Sequence, residues 1–181
     1  MLPLVLFFAF ISISSAQLGF RGGVNLANQS YTNAGSGFEL TGKIGFLLGV
    51  NYEIGFANTF AIRPGLEYAL KGTSITINGA DANANFDYLE IPVDLIYKSG
   101  SFSVYAGPYF AFLTSAKSGS IDIKPDHSTL DVGLNIGLGF NISAVGIGAK
   151  YGLGLSNISD YSTGNASIKN NVLSLYVTFT L

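Results

Sequence analysis

Between Phe38 and Ile54 the chain reads FELTGKIGFLLGVNYEI; the even positions Phe38, Leu40, Ile44, Phe46, Leu48, Val50, Tyr52 and Ile54 are apolar, while Glu39, Lys43 and Glu53 are odd. A strict period of two predicts a strand with unlike faces. The alternation recurs in seven more segments: Phe20/Val24/Leu26, Phe60/Ile62/Leu66/Tyr68/Leu70, Leu89/Ile91/Val93/Leu95/Tyr97, Phe102/Val104/Phe110/Phe112, Leu130/Val132/Leu134/Ile136/Leu138/Phe140, Val145/Ile147/Tyr151/Leu153/Leu155 and Leu173/Leu175/Val177/Phe179/Leu181. Short connections are expected around Gly55 to Asn58, Ser99 to Ser101 and Asn141 to Ala144. Longer polar ones are expected over Asn28 to Gly37, Thr73 to Asn85, Ala116 to His127 and Asn157 to Lys169. The predicted fold is all-β, an eight-stranded up-and-down antiparallel barrel with short turns at one end and long loops at the other.

Such a barrel either buries its apolar face around a ligand, as a soluble lipocalin-like carrier does, or turns that face to lipid. Composition decides between them. Only 11% of the 181 residues are charged, against about 25% in ordinary soluble domains. Twelve charges fall within strands on the non-apolar parity: Arg21, Glu39, Lys43, Glu53, Arg63, Glu67, Lys71, Glu90, Asp94, Lys98, Asp131 and Lys150. The other eight, Asp81, Asp87, Lys117, Asp122, Lys124, Asp126, Asp160 and Lys169, are expected in loops or at strand ends, leaving the apolar face free of charge. An eight-stranded lumen is just wide enough to be filled by side chains, too narrow for the bulky Leu, Ile, Phe and Tyr of the apolar parity. The opposite parity carries many glycines, among them Gly133, Gly137, Gly148 and Gly152, which suit a tight interior. The apolar face is therefore expected to meet lipid, making this an eight-stranded transmembrane β-barrel.

Residues 1–16, MLPLVLFFAFISISSA, lack charged side chains and end in the small-x-small pattern Ser14-Ser15-Ala16. The run is shorter than the roughly 20 residues of a spanning helix and reads as a cleaved signal peptide, with the barrel domain over 17–181. Outer-membrane barrels keep short turns in the periplasm and long loops outside. On that orientation Phe20, Tyr52, Phe60, Tyr97, Phe102, Phe140 and Phe179 gather at the periplasmic ends as an aromatic girdle.

The stretches GGVNLA at 22–27, RPGLEYALKG at 63–72, YLEIPVDLIYK at 88–98, AGPYFAFL at 106–113, DVGLNIGLGF at 131–140 and YGLGLSNI at 151–158 resemble the PorT-like outer-membrane β-barrel family of Bacteroidetes-type bacteria. The resemblance implies a small barrel of the bacterial outer membrane and no settled biochemical activity.

Candidate chemistry is sparse. The absence of cysteine and the single histidine, His127, exclude disulfides, Cys-ligated metals and multi-His centres, and a net charge of −2 offers nucleic acid no footprint. The segment from Gly37 to Ile44 imitates a phosphate-binding loop but lacks its Ser/Thr and opens a strand instead of a helix. Lumen-facing Arg63, Glu67, Lys71, Glu90 and Asp94, with Lys43, Asp131 and Lys150, are expected to pair as a salt-bridge plug rather than line an ion path. His127-Ser128 could serve a lipid A-modifying enzyme, yet adjacent residues on a strand point to opposite faces, so a loop histidine is expected rather than a catalytic one. The expected role is structural or surface-interacting, without cofactors. Outer-membrane lipid, the barrel-assembly machinery and an unidentified ligand of the extracellular loops are the expected partners of a monomer.

Overall fold

The computed structural model describes residues 15–32, 39–77, 80–158 and 167–181. Residues 1–14 of the expected signal peptide lie outside the described residues, and Ser15 and Ala16 begin the first strand. Eight long strands follow: β1 (Ser15–Thr32), β2 (Glu39–Gly55), β3 (Phe60–Ile77), β4 (Ala80–Ser99), β5 (Phe102–Ser118), β6 (Leu130–Ile142), β7 (Val145–Gly154) and β8 (Ser167–Thr180). Each pairs antiparallel with its chain neighbours, and β8 pairs with β1 from Gly19↔Thr180 to Thr32↔Ser167, which closes the barrel. A two-residue strand, Ile121–Asp122, folds back onto the end of β5, and a short 3-10 helix, Lys124–Asp126, follows it.

The short connections stand where the polarity pattern puts them, with Gly100 and Ser143 taking the left-handed φ of 61° and 57° that such tight reversals require. The long connections are shorter than expected. The segment Thr73 to Asn85, read from sequence as a loop, is mostly ladder: Thr73↔Ala84 continues through Ser74↔Asn83 and Thr76↔Asp81 to Ile77↔Ala80. β5 likewise runs on to Ser118, β1 to Thr32, and β8 begins at Ser167. Past the lipid-facing band both faces of a strand meet water, so alternation fades while backbone pairing persists.

The apolar parity faces outward. Ile44, Leu48, Phe102, Ile136, Leu138 and Ile147 are among its most exposed members, whereas Arg21, Glu67, Lys71, Glu90, Asp94, Asp131 and Lys150 are buried. The interior also holds two apolar clusters. Towards the long loops Phe86, Tyr88, Tyr109, Ala111 and Leu113 pack together with Ile123 against them; nearer the short turns Leu47, Ala61, Ile96, Tyr105 and Tyr176 form the second. Glycines of β6 and β7 make room for these rings. A Cβ on Gly137 would stand 2.3 Å from Tyr105 Cζ, and one on Gly148 would stand 2.4 Å from Tyr176 Cζ.

Candidate functional site

The lumen is crossed by a chain of ion pairs contributed by strands from opposite walls. Arg21 Nη1 on β1 donates to Glu67 Oε1 on β3 at 2.5 Å, and Lys150 Nζ on β7 donates to Glu67 Oε2 at 2.7 Å. Lys150 also reaches Glu90 Oε1 on β4 at 3.3 Å; the other oxygen of Glu90 receives Lys71 Nζ at 3.0 Å, and Lys71 stands 3.8 Å from Asp131 Oδ2. Signs alternate along Arg21, Glu67, Lys150, Glu90, Lys71 and Asp131, so each buried ion faces an opposite one. Without such pairing, burial would cost several kcal/mol per ion.

The two ends of this chain are finished differently. Asp131 accepts from Asn170 Nδ2 at 2.9 Å and from Ser156 Oγ at 3.1 Å. Towards the short turns Arg21 lies 4.4 Å over the Tyr176 ring and Arg63 lies 4.7 Å over the Tyr105 ring, while the two phenol oxygens are 2.7 Å apart. Arg63 pairs with Asp94 at 3.1 Å and lies 3.9 Å from Glu53, which also receives Lys98. Below this layer a polar vestibule of about 430 Å³ opens among Asn51, Glu53, Arg63, Lys98, Asn141 and Thr178.

Of the expected network, Arg63, Glu67, Lys71, Glu90, Asp94, Asp131 and Lys150 are all engaged. Lys43 turns inward and half-buried but makes no ion pair among the described residues. The network recruits Arg21, Glu53 and Lys98, which share its parity, and Tyr88, Tyr105, Tyr109 and Tyr176, whose inward positions in β4, β5 and β8 were the available signal. The twelve charges on the non-apolar parity of the sequence comprise six cations and six carboxylates, so that set is neutral and the whole net charge of −2 belongs to the other eight.

Asp87 corrects the expectation that the apolar face carries no charge. It lies within β4 opposite Leu70, on the outward side between inward Phe86 and Tyr88, and accepts a hydrogen bond from the Tyr68 hydroxyl. Its place near the long-loop end, where a β-bulge follows it, keeps this carboxylate away from the middle of the apolar band.

This wall, apolar outside and ion-paired inside, is the arrangement of a barrel immersed in a bilayer and the reverse of a lipocalin-like carrier. Residues 11–160 match the family described as outer membrane protein beta-barrel domain. The chain belongs to that family. This outer-membrane barrel is a protein of the bacterial outer membrane, and its fold recurs in solved structures. Neisserial surface protein A is 12% identical, with 92% of this chain and 99% of that one covered and a TM-score of 0.63. Ail, the attachment invasion locus protein of Yersinia pestis, is 16% identical over 92% and 99% of the chains with a TM-score of 0.54. OprG from Pseudomonas aeruginosa is 12% identical over 92% and 96% with a TM-score of 0.53. At these identities the likeness is one of fold alone. No curated protein matches the chain.

In the outer-membrane barrel His127 and Ser128 do not bond each other. His127 Nδ1 is 2.9 Å from the Ile123 carbonyl and its ring packs 4.9 Å from Phe86, while Ser128 Oγ donates to the Leu130 carbonyl at 3.2 Å. The expected girdle residues Phe20, Tyr52, Phe60, Tyr97, Phe102, Phe140 and Phe179 sit at the short-turn end, all but the half-buried Phe140 exposed. The Phe60 and Tyr97 rings meet at a tilt with centroids 5.3 Å apart, as do Phe102 and Phe140 at 4.7 Å.

Proposed function

We propose that this barrel is a closed structural protein of the outer membrane that presents its long loops at the cell surface. The carrying observation is the alternating ion-pair chain from Arg21 to Asp131, every member of which is buried. An eight-stranded lumen filled this way leaves no continuous water path. At the long-loop end, Ile123 and His127 fold over Phe86, and Ile158, fully buried, accepts the Ser128 N–H at 3.0 Å.

The orientation puts the short turns and the polar vestibule in the periplasm and the loops outside. The aromatic girdle then lies at the periplasmic headgroup level, with lipid as the first partner and the assembly machinery as the agent of insertion. A signal peptide over 1–16 would deliver the chain, cleavage after Ala16 leaving β1 to start at Gln17. A finer placement, among PorT-like barrels, rests on the quoted sequence stretches alone, and a monomeric state rests on the barrel's own closure. Reconstitution of the purified barrel in planar bilayers tests the reading. Absence of steady single-channel current is expected, and reproducible unitary conductance would refute a closed lumen.

A further inference from the structure

Asn135 lies in the middle of β6 with its side chain turned into the lumen and only 1% exposed, yet neither Nδ2 nor Oδ1 has a hydrogen-bond partner in the described chain. Its neighbour in the barrel wall is Gly152, and the amide borders an internal void of about 10 Å³ that Glu67, Glu90, Lys71 and Lys150 also line. An orphaned amide in such surroundings is costly, and buried polar groups in proteins are almost always satisfied by protein or by ordered water. A void of this size is about what one water molecule needs, provided it finds two to four polar partners.

Those partners are present. Lys150 gives two N–H groups to Glu67 and Glu90 and retains a third. Asn25, on the far side of the void, has both Nδ2 hydrogens engaged by the carbonyls of Phe46 and Leu70, and its Oδ1 accepts from Ser174 Oγ. Asn135, with both amide atoms unpaired, and Lys150, with an N–H to spare, therefore face the same void. Charge selects the occupant's class: two ammonium groups and two carboxylates surround the void, so a bare cation or anion would meet a like charge on one side, and the volume excludes anything with its own hydration shell.

We infer that the void between Asn135, Lys150 and Gly152 is a binding site for a single long-lived water molecule, which accepts a hydrogen bond from Lys150 Nζ or Asn135 Nδ2 and donates one to Asn135 Oδ1. The water belongs to the buried network as a structural member and joins β6 to the ion-pair chain.

Gly152→Ala provides the test. A Cβ there would stand 3.2 Å from Asn135 Oδ1 and 3.8 Å from the nearest other atoms, so the methyl intrudes on the site with little cost to the wall. The full barrel, refolded in micelles with ¹⁵N-labelled asparagine, is examined by water-to-amide NOE spectroscopy, with retained heat-dependent gel mobility reporting the fold. The expected result is a cross-peak of slow-tumbling sign between water and the Asn135 side-chain amide, lost in folded Gly152→Ala. No cross-peak at an assigned Asn135 amide, or one unchanged in folded Gly152→Ala, overturns the inference. If Gly152→Ala fails to fold, Asn135→Leu takes its place: a lowered urea midpoint supports a water-satisfied amide, whereas a raised midpoint, the mark of an orphaned amide removed, overturns it.

Discussion

Lys150 Nζ lies 2.7 Å from Glu67 Oε2 across the lumen, joining β7 to β3 over 83 positions of sequence, and both groups are buried. The pair sits between two others, since Glu67 also holds Arg21 and Lys150 also holds Glu90. Removing one member of a buried pair generally costs about 3 to 5 kcal/mol because the partner's charge is stranded. Here each stranded carboxylate keeps a second cation. Lys150→Met is therefore expected at the low end, near 3 kcal/mol, in urea unfolding followed by gel mobility. A loss below about 1 kcal/mol would put the pair in the class of weak surface ion pairs.

Gly137→Ala should destabilise the barrel through the tyrosine it faces. The added Cβ would stand 2.3 Å from Tyr105 Cζ and 2.8 Å from the Ala149 carbonyl, so the ring must leave its place against Arg63 and Tyr176. Overpacking of this kind costs about 1 to 3 kcal/mol. In a double mutant with Tyr105→Ala the two effects should fall short of additive, because the clash disappears with the ring. Strict additivity would remove Tyr105 as the cause.

The orientation is open to chemical labelling because the chain has no cysteine. Ser101 in the β4–β5 turn and Ser120 after β5 are both exposed and at opposite ends of the barrel. A membrane-impermeant maleimide should label Ser120→Cys on intact cells and Ser101→Cys only after the outer membrane is permeabilised. The reverse pattern would turn the barrel over and place its vestibule outside.

The eight strands were legible because lipid on one side and a crowded lumen on the other impose opposite chemistry on alternate residues, as with Ile136 outside and Asn135 and Asp131 inside. Strand ends were less legible. Thr73, Ser74 and Asn83 read as loop because polarity no longer alternates there, yet they continue the β3–β4 ladder. Inward parity likewise identified Glu67 and Lys150 as lumen charges, but not as each other's partners. That pairing depends on barrel closure and tilt, which a local pattern does not encode. The tyrosine layer was missed for a related reason: Tyr105 and Tyr176 are apolar enough to suit lipid, and only their parity, shared with Ser103 and Ser174, places them inside.

In a bilayer the apolar parity is placed to meet acyl chains at mid-barrel and headgroups at the short-turn end. The chain contains no tryptophan, so a single reporter can be placed at will. Ile136, which is 65% exposed and pairs with Ala106 and Tyr151, marks the middle of the wall, and Phe140, beside Phe102, marks the girdle. The deciding measurement is fluorescence quenching of Ile136→Trp and Phe140→Trp in bilayers of lipids brominated deep or shallow along the chain. Deep bromines are expected to quench Ile136→Trp most strongly and shallow ones Phe140→Trp. An Ile136→Trp signal that no brominated lipid quenches would contradict this placement.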